Sequence, residues 1–169
     1  VSASCTGWCF TSDGKTFIKG VIVTSPKLQR SARLLLFSRD LEIVLLKFKP
    51  EFIVQEDTFS GANISTLKIL SEFAGVAKYT CMKILEIDPF IVTNTKVKSY
   101  FAARTKEDLF YFVCYLLDID NLTFKKDNDI IDAQSQLLYY ADEVLEKYKY
   151  RYPKDYGYLY MGETSEKND

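Results

Sequence analysis

Gly7-Trp8-Cys9-Phe10 and Thr16-Phe17-Ile18-Lys19-Gly20-Val21-Ile22-Val23 are two β-rich runs on either side of Ser12-Asp13-Gly14-Lys15, a turn-forming tetrapeptide. That pattern predicts an antiparallel hairpin at the head of the chain. Beyond it, Ser25-Pro26 reads as a cap with a first-turn proline. Residues 27 to about 48 then carry apolar side chains at helical spacing until Pro50 stops them. Phe52-Ile53-Val54, within 51–56, is a short apolar run of strand length that ends on the carboxylate of Glu56, and a polar loop through Gly61 and Asn63 follows. A second helix is predicted from Ser65 to Leu85, with Leu67, Leu70, Ala74, Ala77 and Cys81 on one face and Gly75 allowing a close backbone approach. Phe90-Ile91-Val92 is the next strand. Two short helices are predicted over 95–102 and 106–118, a polar connection over 121–127, and a closing helix from Asp127 to about Tyr150. Pro153 and Gly157 lie past it, and 151–169 reads as a polar, tyrosine-bearing tail. A strand pair followed by alternating helix and strand indicates an α/β domain over 1–150, with a mixed β-sheet flanked by helices on both faces.

The 169 residues include no histidine, which excludes histidine-dependent nucleophile triads, histidine-ligated zinc and imidazole general bases. Any catalysis must use carboxylates, lysine, tyrosine or cysteine. Cys5, Cys9, Cys81 and Cys114 form no C-x-x-C pair, and the last two sit in apolar helical patterns, so they read as buried thiols in a reducing compartment. No apolar run has the length of a membrane span. A soluble cytoplasmic protein is expected. The formal net charge of −1 hides a basic excess over 1–106 and an acidic excess over 107–169, so binding to nucleic acid is not excluded.

Three acids occupy positions of interest. Glu56 ends an apolar strand, while Asp129 and Asp132, three apart, project to nearly the same side of the last helix. If they converge, their mutual repulsion calls for a divalent cation, and hard oxygen ligands select magnesium or manganese. Each acid also has a plainer reading: the aspartates as first-turn residues favoured by the helix dipole, Glu56 as the edge of a loop.

Glu56-Asp57-Thr58-Phe59-Ser60-Gly61-Ala62-Asn63, followed by Gly75-Val76-Ala77, resembles the E-x-x-F-x-x-x-N and G-V-A elements of the RuvC family of Holliday-junction resolvases. Asp129-Ile130-Ile131-Asp132-Ala133 resembles that family's closing (D/H)-x-x-D-A, and Ser2-Ala3-Ser4-Cys5-Thr6-Gly7-Trp8 is similar to its opening D-x-x-x-x-x-T-G-(Y/W). The motifs occur in family order across residues 1 to about 145. The opening aspartate falls one position before Val1, so the first strand is expected to be truncated there.

The resemblance implies an RNase H-like fold and a metal-dependent endonuclease that resolves four-way (Holliday) junction DNA in recombination and repair. Two Mg2+ ions per active site, which Mn2+ can replace, would be held by four acidic groups, of which Glu56, Asp129 and Asp132 match positions of this sequence. Phe59 would intrude among the bases. Lys98, in Thr95-Lys96-Val97-Lys98, matches the family's V-K element and would be catalytic. Lys96, Lys98 and Lys106 would meet DNA phosphates. A homodimer is implied, with the apolar face of the second helix, residues 65–85, at its contact, and the shortened form resembles phage-type members, which would place it in the host cytoplasm. A catalytically silent junction-binding protein and another RNase H-like nuclease, acting on hybrids or flaps, are the alternatives.

Overall fold

A computed structural model of the chain describes residues 4–58 and 64–145. The opening pair is an antiparallel hairpin of β1 (Cys5–Phe10) and β2 (Ile18–Val23), in a register that sets Trp8 opposite Gly20 and Phe10 opposite Ile18. Its loop is closed by Asp13, whose Oδ1 accepts from the backbone N–H groups of Lys15 and Thr16 at 2.9 and 2.7 Å. Those two bonds favour the ionised form and hold the Asp13 carboxyl down at about 2.

Helix α1 (Arg30–Phe48) starts three residues later than its sequence pattern predicts. The amide of Lys27 donates to Ser25 Oγ and that of Leu28 to Ser25 O, which closes Ser25-Pro26 into a separate turn before Gln29. Lys49, in the left-handed conformation at φ 43°, ends the helix by donating its N–H to Leu45 O.

Strand β3 (Val54–Glu56), helix α2 (Ile64–Leu85) and strand β4 (Phe90–Val92) form a parallel β-α-β unit that pairs Val54 with Phe90 and Glu56 with Val92. Ala77 and Cys81 of the anticipated apolar face are buried, along with Phe73 and Thr80. They pack toward α1, where Phe37 and Phe73 meet edge-on at 5.3 Å and Ser38 Oγ lies 2.9 Å from Thr80 Oγ1. That apolar face is therefore buried inside the subunit, which corrects the dimer contact expected on it and leaves only the outer face of α2 for a partner. Gly75 points the other way: a side chain there would meet nothing within 4 Å, which corrects the close approach anticipated at this position.

Helices α3 (Asn94–Tyr100) and α4 (Lys106–Leu116) begin at Thr93 and Thr105, and a full capping box joins Thr105 to Asp108. Helix α5 (Phe124–Tyr139) continues as a π-helical turn, Tyr140–Val144. It starts at Phe124 rather than Asp127, because Phe124 packs edge-on against Phe110 at 5.6 Å and Asp127 folds back to accept from the Thr123 N–H. The stretch to Tyr150 and the tail lie outside the described residues beyond 145.

Two apolar cores result. One gathers Val92, Val97, Leu109, Phe110, Val113, Ile131 and Leu138 among β4, α3, α4 and α5. The other joins Ile22, Phe37, Phe73 and Ala77 among β2, α1 and α2. Helices cover both faces of the hairpin: alternate residues of β1 point to opposite sides, Trp8 and Phe10 onto Phe48 of α1 and Gly7 onto α5. The strands do not form the single mixed sheet anticipated. Among the described residues they make two two-stranded ribbons, one antiparallel and one parallel. Packing against α5 holds the ribbons in place, and a cleft of about 820 Å³ is lined by β1 and by residues 50–56 around β3. No helix of the described residues is long and apolar enough to cross a membrane.

Candidate active site

The cleft between the ribbons collects the charged residues. Glu56 comes from the carboxyl end of β3, Asp129 and Asp132 from α5, and Lys106 from the first turn of α4; all four line it. Because α5 begins at Phe124, the two aspartates stand in its second and third turns. The first-turn position belongs to Asp127, which removes the helix-dipole explanation for Asp129 and Asp132.

Close approach of α5 to β1 makes the arrangement. A side-chain carbon on Gly7 would overlap the carbonyl of Asp129 and stand 2.8 Å from Ile130 N, so only glycine lets this helix lie on this strand. The pKa of the neighbouring Cys5 thiol is raised, first by burial and then by the Asp129 carboxylate beside it.

Glu56 Oε1 accepts from Asn94 Nδ2 at 2.7 Å. Asn94 stands two residues past Val92, beyond the carboxyl ends of parallel strands where α/β folds commonly bind ligands. Lys106 Nζ lies 2.5 Å from Asp132 Oδ2 and 3.0 Å from Asn128 Oδ1. Asn128 is free to accept through Oδ1 because its Nδ2 donates to Phe124 O. The Asp132 side chain is 11% exposed. Burial pushes its carboxyl up to about 6; the Lys106 hydrogen bond and charge oppose this, while Glu56 and Asp129 add to it. Burial by itself would lower the Lys106 pKa, but Asp132, with Asp129 and Glu56 behind it, raises it.

The oxygen donors of Glu56, Asp129 and Asp132 suit a hard dication such as magnesium or manganese. Among the described residues no three acidic or thiol side chains stand close enough together to hold a metal ion; an ammonium lies on Asp132 instead. It is the donor chemistry, three carboxylates on one cleft, that fits a divalent ion.

Sequence reasoning ranked the lysines differently. Lys96 and Lys98 lie on α3 and neither lines the cleft; Lys106 does. Phe59 lies outside the described residues. Asn94, Asn128 and the steric role of Gly7 escaped the sequence reading. A polar residue just past a parallel strand was the available signal for Asn94.

The chain matches no protein-family model. It is 29% identical over 126 residues to the crossover junction endodeoxyribonuclease RuvC of Carboxydothermus hydrogenoformans, covering 72% of this chain and 77% of that protein. The fold superposes with a TM-score of 0.72 on T. thermophilus RuvC in complex with Holliday junction substrate, at 18% identity, over 85% of this chain and 91% of that one. In sequence and in fold the chain is similar to RuvC. A second Thermus thermophilus RuvC structure matches with a TM-score of 0.62, over 86% of this chain and 78% of that one. The RuvC likeness accounts for the layered α/β architecture as an RNase H-like fold.

Proposed function

We propose that this RuvC-like chain is a structure-selective endonuclease that cuts four-way DNA junctions by metal-dependent hydrolysis of a phosphodiester. The observation that carries the reading is that Glu56, from one ribbon, and Asp129 and Asp132, from α5, line a single cleft. Acids from distant parts of a chain repel one another in a half-buried site, and the arrangement is useful chiefly for binding cations.

Glu56, Asp129 and Asp132 would hold magnesium, or manganese in its place, with two ions per site as in a two-metal phosphodiesterase. The bound ions supply Lewis-acid polarisation of the phosphate and a more acidic water. Asn94 orients the Glu56 carboxylate through their 2.7 Å hydrogen bond. Asp132, buried and carrying a raised pKa, must give up its proton to serve as a ligand. Lys96 and Lys98 on α3 meet phosphates as point charges, and Phe59 enters among the bases at the crossover.

A four-way junction presents symmetry-related strands, which a homodimer would nick in pairs. The outer face of α2 is the surface this reading assigns to the dimer: Ile64, Tyr79 and Met82 are 73%, 65% and 42% exposed, and nothing lies over Gly75. The short segment between Lys98 and Lys106 favours a phage-type member.

The test is a nicking assay of the full-length polypeptide on four-way junction, RNA–DNA hybrid and linear duplex, with and without magnesium. Magnesium-dependent, symmetric nicks in the junction alone are expected. Equal cleavage of all three substrates, or junction binding without cleavage, would overturn the reading.

A further inference from the structure

Lys106 lines the cleft in a position that the proposed reaction does not itself require. Its helix, α4, starts at the capping box of Thr105 and Asp108, which places Lys106 at the head of a fixed element. From there the side chain reaches across to α5, where Nζ lies 2.5 Å from Asp132 Oδ2 and 3.0 Å from Asn128 Oδ1. The Lys106 side chain is 42% exposed, yet its head is held by protein oxygens rather than left in solvent. This ammonium occupies an oxygen that the metal-binding reading assigns to a dication, and the negative charges of Asp129 and Glu56 also act on it.

We propose that Lys106 is a built-in counter-cation of the carboxylate cleft: it holds Asp132 until a dication arrives, must leave that oxygen for the ion to bind there, and so sets the metal affinity. This rests on the reading of Glu56, Asp129 and Asp132 as metal ligands. Without a cation, three carboxylates around one cleft repel each other, and the Asp132 side chain is too buried for water to screen it fully. The lysine relieves that repulsion from within the fold. Asn128 Oδ1 gives the displaced ammonium a second partner, so its departure from Asp132 leaves no bare buried charge. The consequence is competition: every dication bound at Asp132 must pay for one broken ion pair. Lys106 is thus a positioning residue that acts through Asp132.

Calorimetric titration of DNA-free protein with Mn2+ tests this without reference to cleavage. Lys106→Met removes the charge at nearly constant length and should tighten Mn2+ binding about 10- to 100-fold, the usual scale for groups around metal ligands. Lys106→Arg keeps a cation and should stay near wild type, while Lys126→Met, on an exposed turn of α5, controls for the general loss of one positive charge. In the wild-type protein, saturation with Mg2+ should shift the Lys106 side-chain Cε resonance, a readout that does not depend on any variant folding. Unchanged Mn2+ affinity in Lys106→Met, or equal tightening in Lys126→Met, would overturn the counter-cation role and leave the nuclease reading standing. Absence of Mn2+ binding in every protein would overturn both.

Discussion

Gly7 of β1 and the carbonyl of Asp129 in α5 are in such close contact that a single added carbon on the glycine would overlap that carbonyl. The contact seats α5 on the hairpin and brings its carboxylates to the cleft. Gly7→Ala should therefore lower stability by about 1–3 kcal/mol, the usual cost of overpacking. In a domain of this size that is several degrees of Tm in differential scanning calorimetry. A Tm within a degree of wild type would show that the helix can shift without penalty.

Glu56→Gln and Asp132→Asn should each reduce magnesium-dependent junction cleavage by about a hundredfold or more, and Asn94→Ala, which acts only through Glu56, by about 10- to 100-fold. Junction binding measured in calcium or without metal should survive in all three. Full cleavage by either carboxylate variant would remove that residue from the proposed mechanism.

The raised pKa of Asp132 makes two opposed pH dependences. Ionising this carboxyl is harder in the folded protein, at about 6, than at the ordinary 3.8. Its contribution to metal-free stability is thus fully present below about 3.8 and is lost as the pH rises through about 6. Metal binding runs the other way: below about pH 6 a proton competes for the ligand, and apparent Mg2+ affinity should fall roughly tenfold per pH unit. Thermal melts with and without Mg2+ from pH 4 to 8 check both, and Asp132→Asn should flatten both profiles.

Lys98 lies on α3 outside the cleft, so its assigned part is a phosphate contact. Lys98→Ala should weaken junction binding at low salt and reduce the slope of log K against log salt by about 1. An unchanged slope in fluorescence anisotropy would assign it to the solvated surface.

On the outer face of α2, Tyr79 is 65% exposed beside Met82 and the open position at Gly75. Tyr79→Glu should shift sedimentation from dimer toward monomer while leaving the melting of the individual subunit nearly unchanged. A wild-type protein that sediments as a monomer at micromolar concentration would refute the dimer.

The sequence by itself determined the kinds and order of the elements. Helical and strand periodicity, the turn at 12–15 and the proline at 50 are local signals, and strand β3 ends on Glu56 as the pattern predicts. Tertiary structure decided the rest. Whether the strands join was one such matter: β1 and β3 keep separate partners, and it is packing on α5 that relates them. The start of α5 was another, since Phe124 becomes helical against Phe110, a contact fourteen residues away in the chain. So was the identity of the lysine in the cleft, because the reach of Lys106 to Asp132 depends on how α4 crosses α5, which no spacing along the chain records. The charge state of Asp132 follows the same logic: its carboxyl is shifted by burial and by neighbours from other elements, and desolvation exists only once those elements have closed around it.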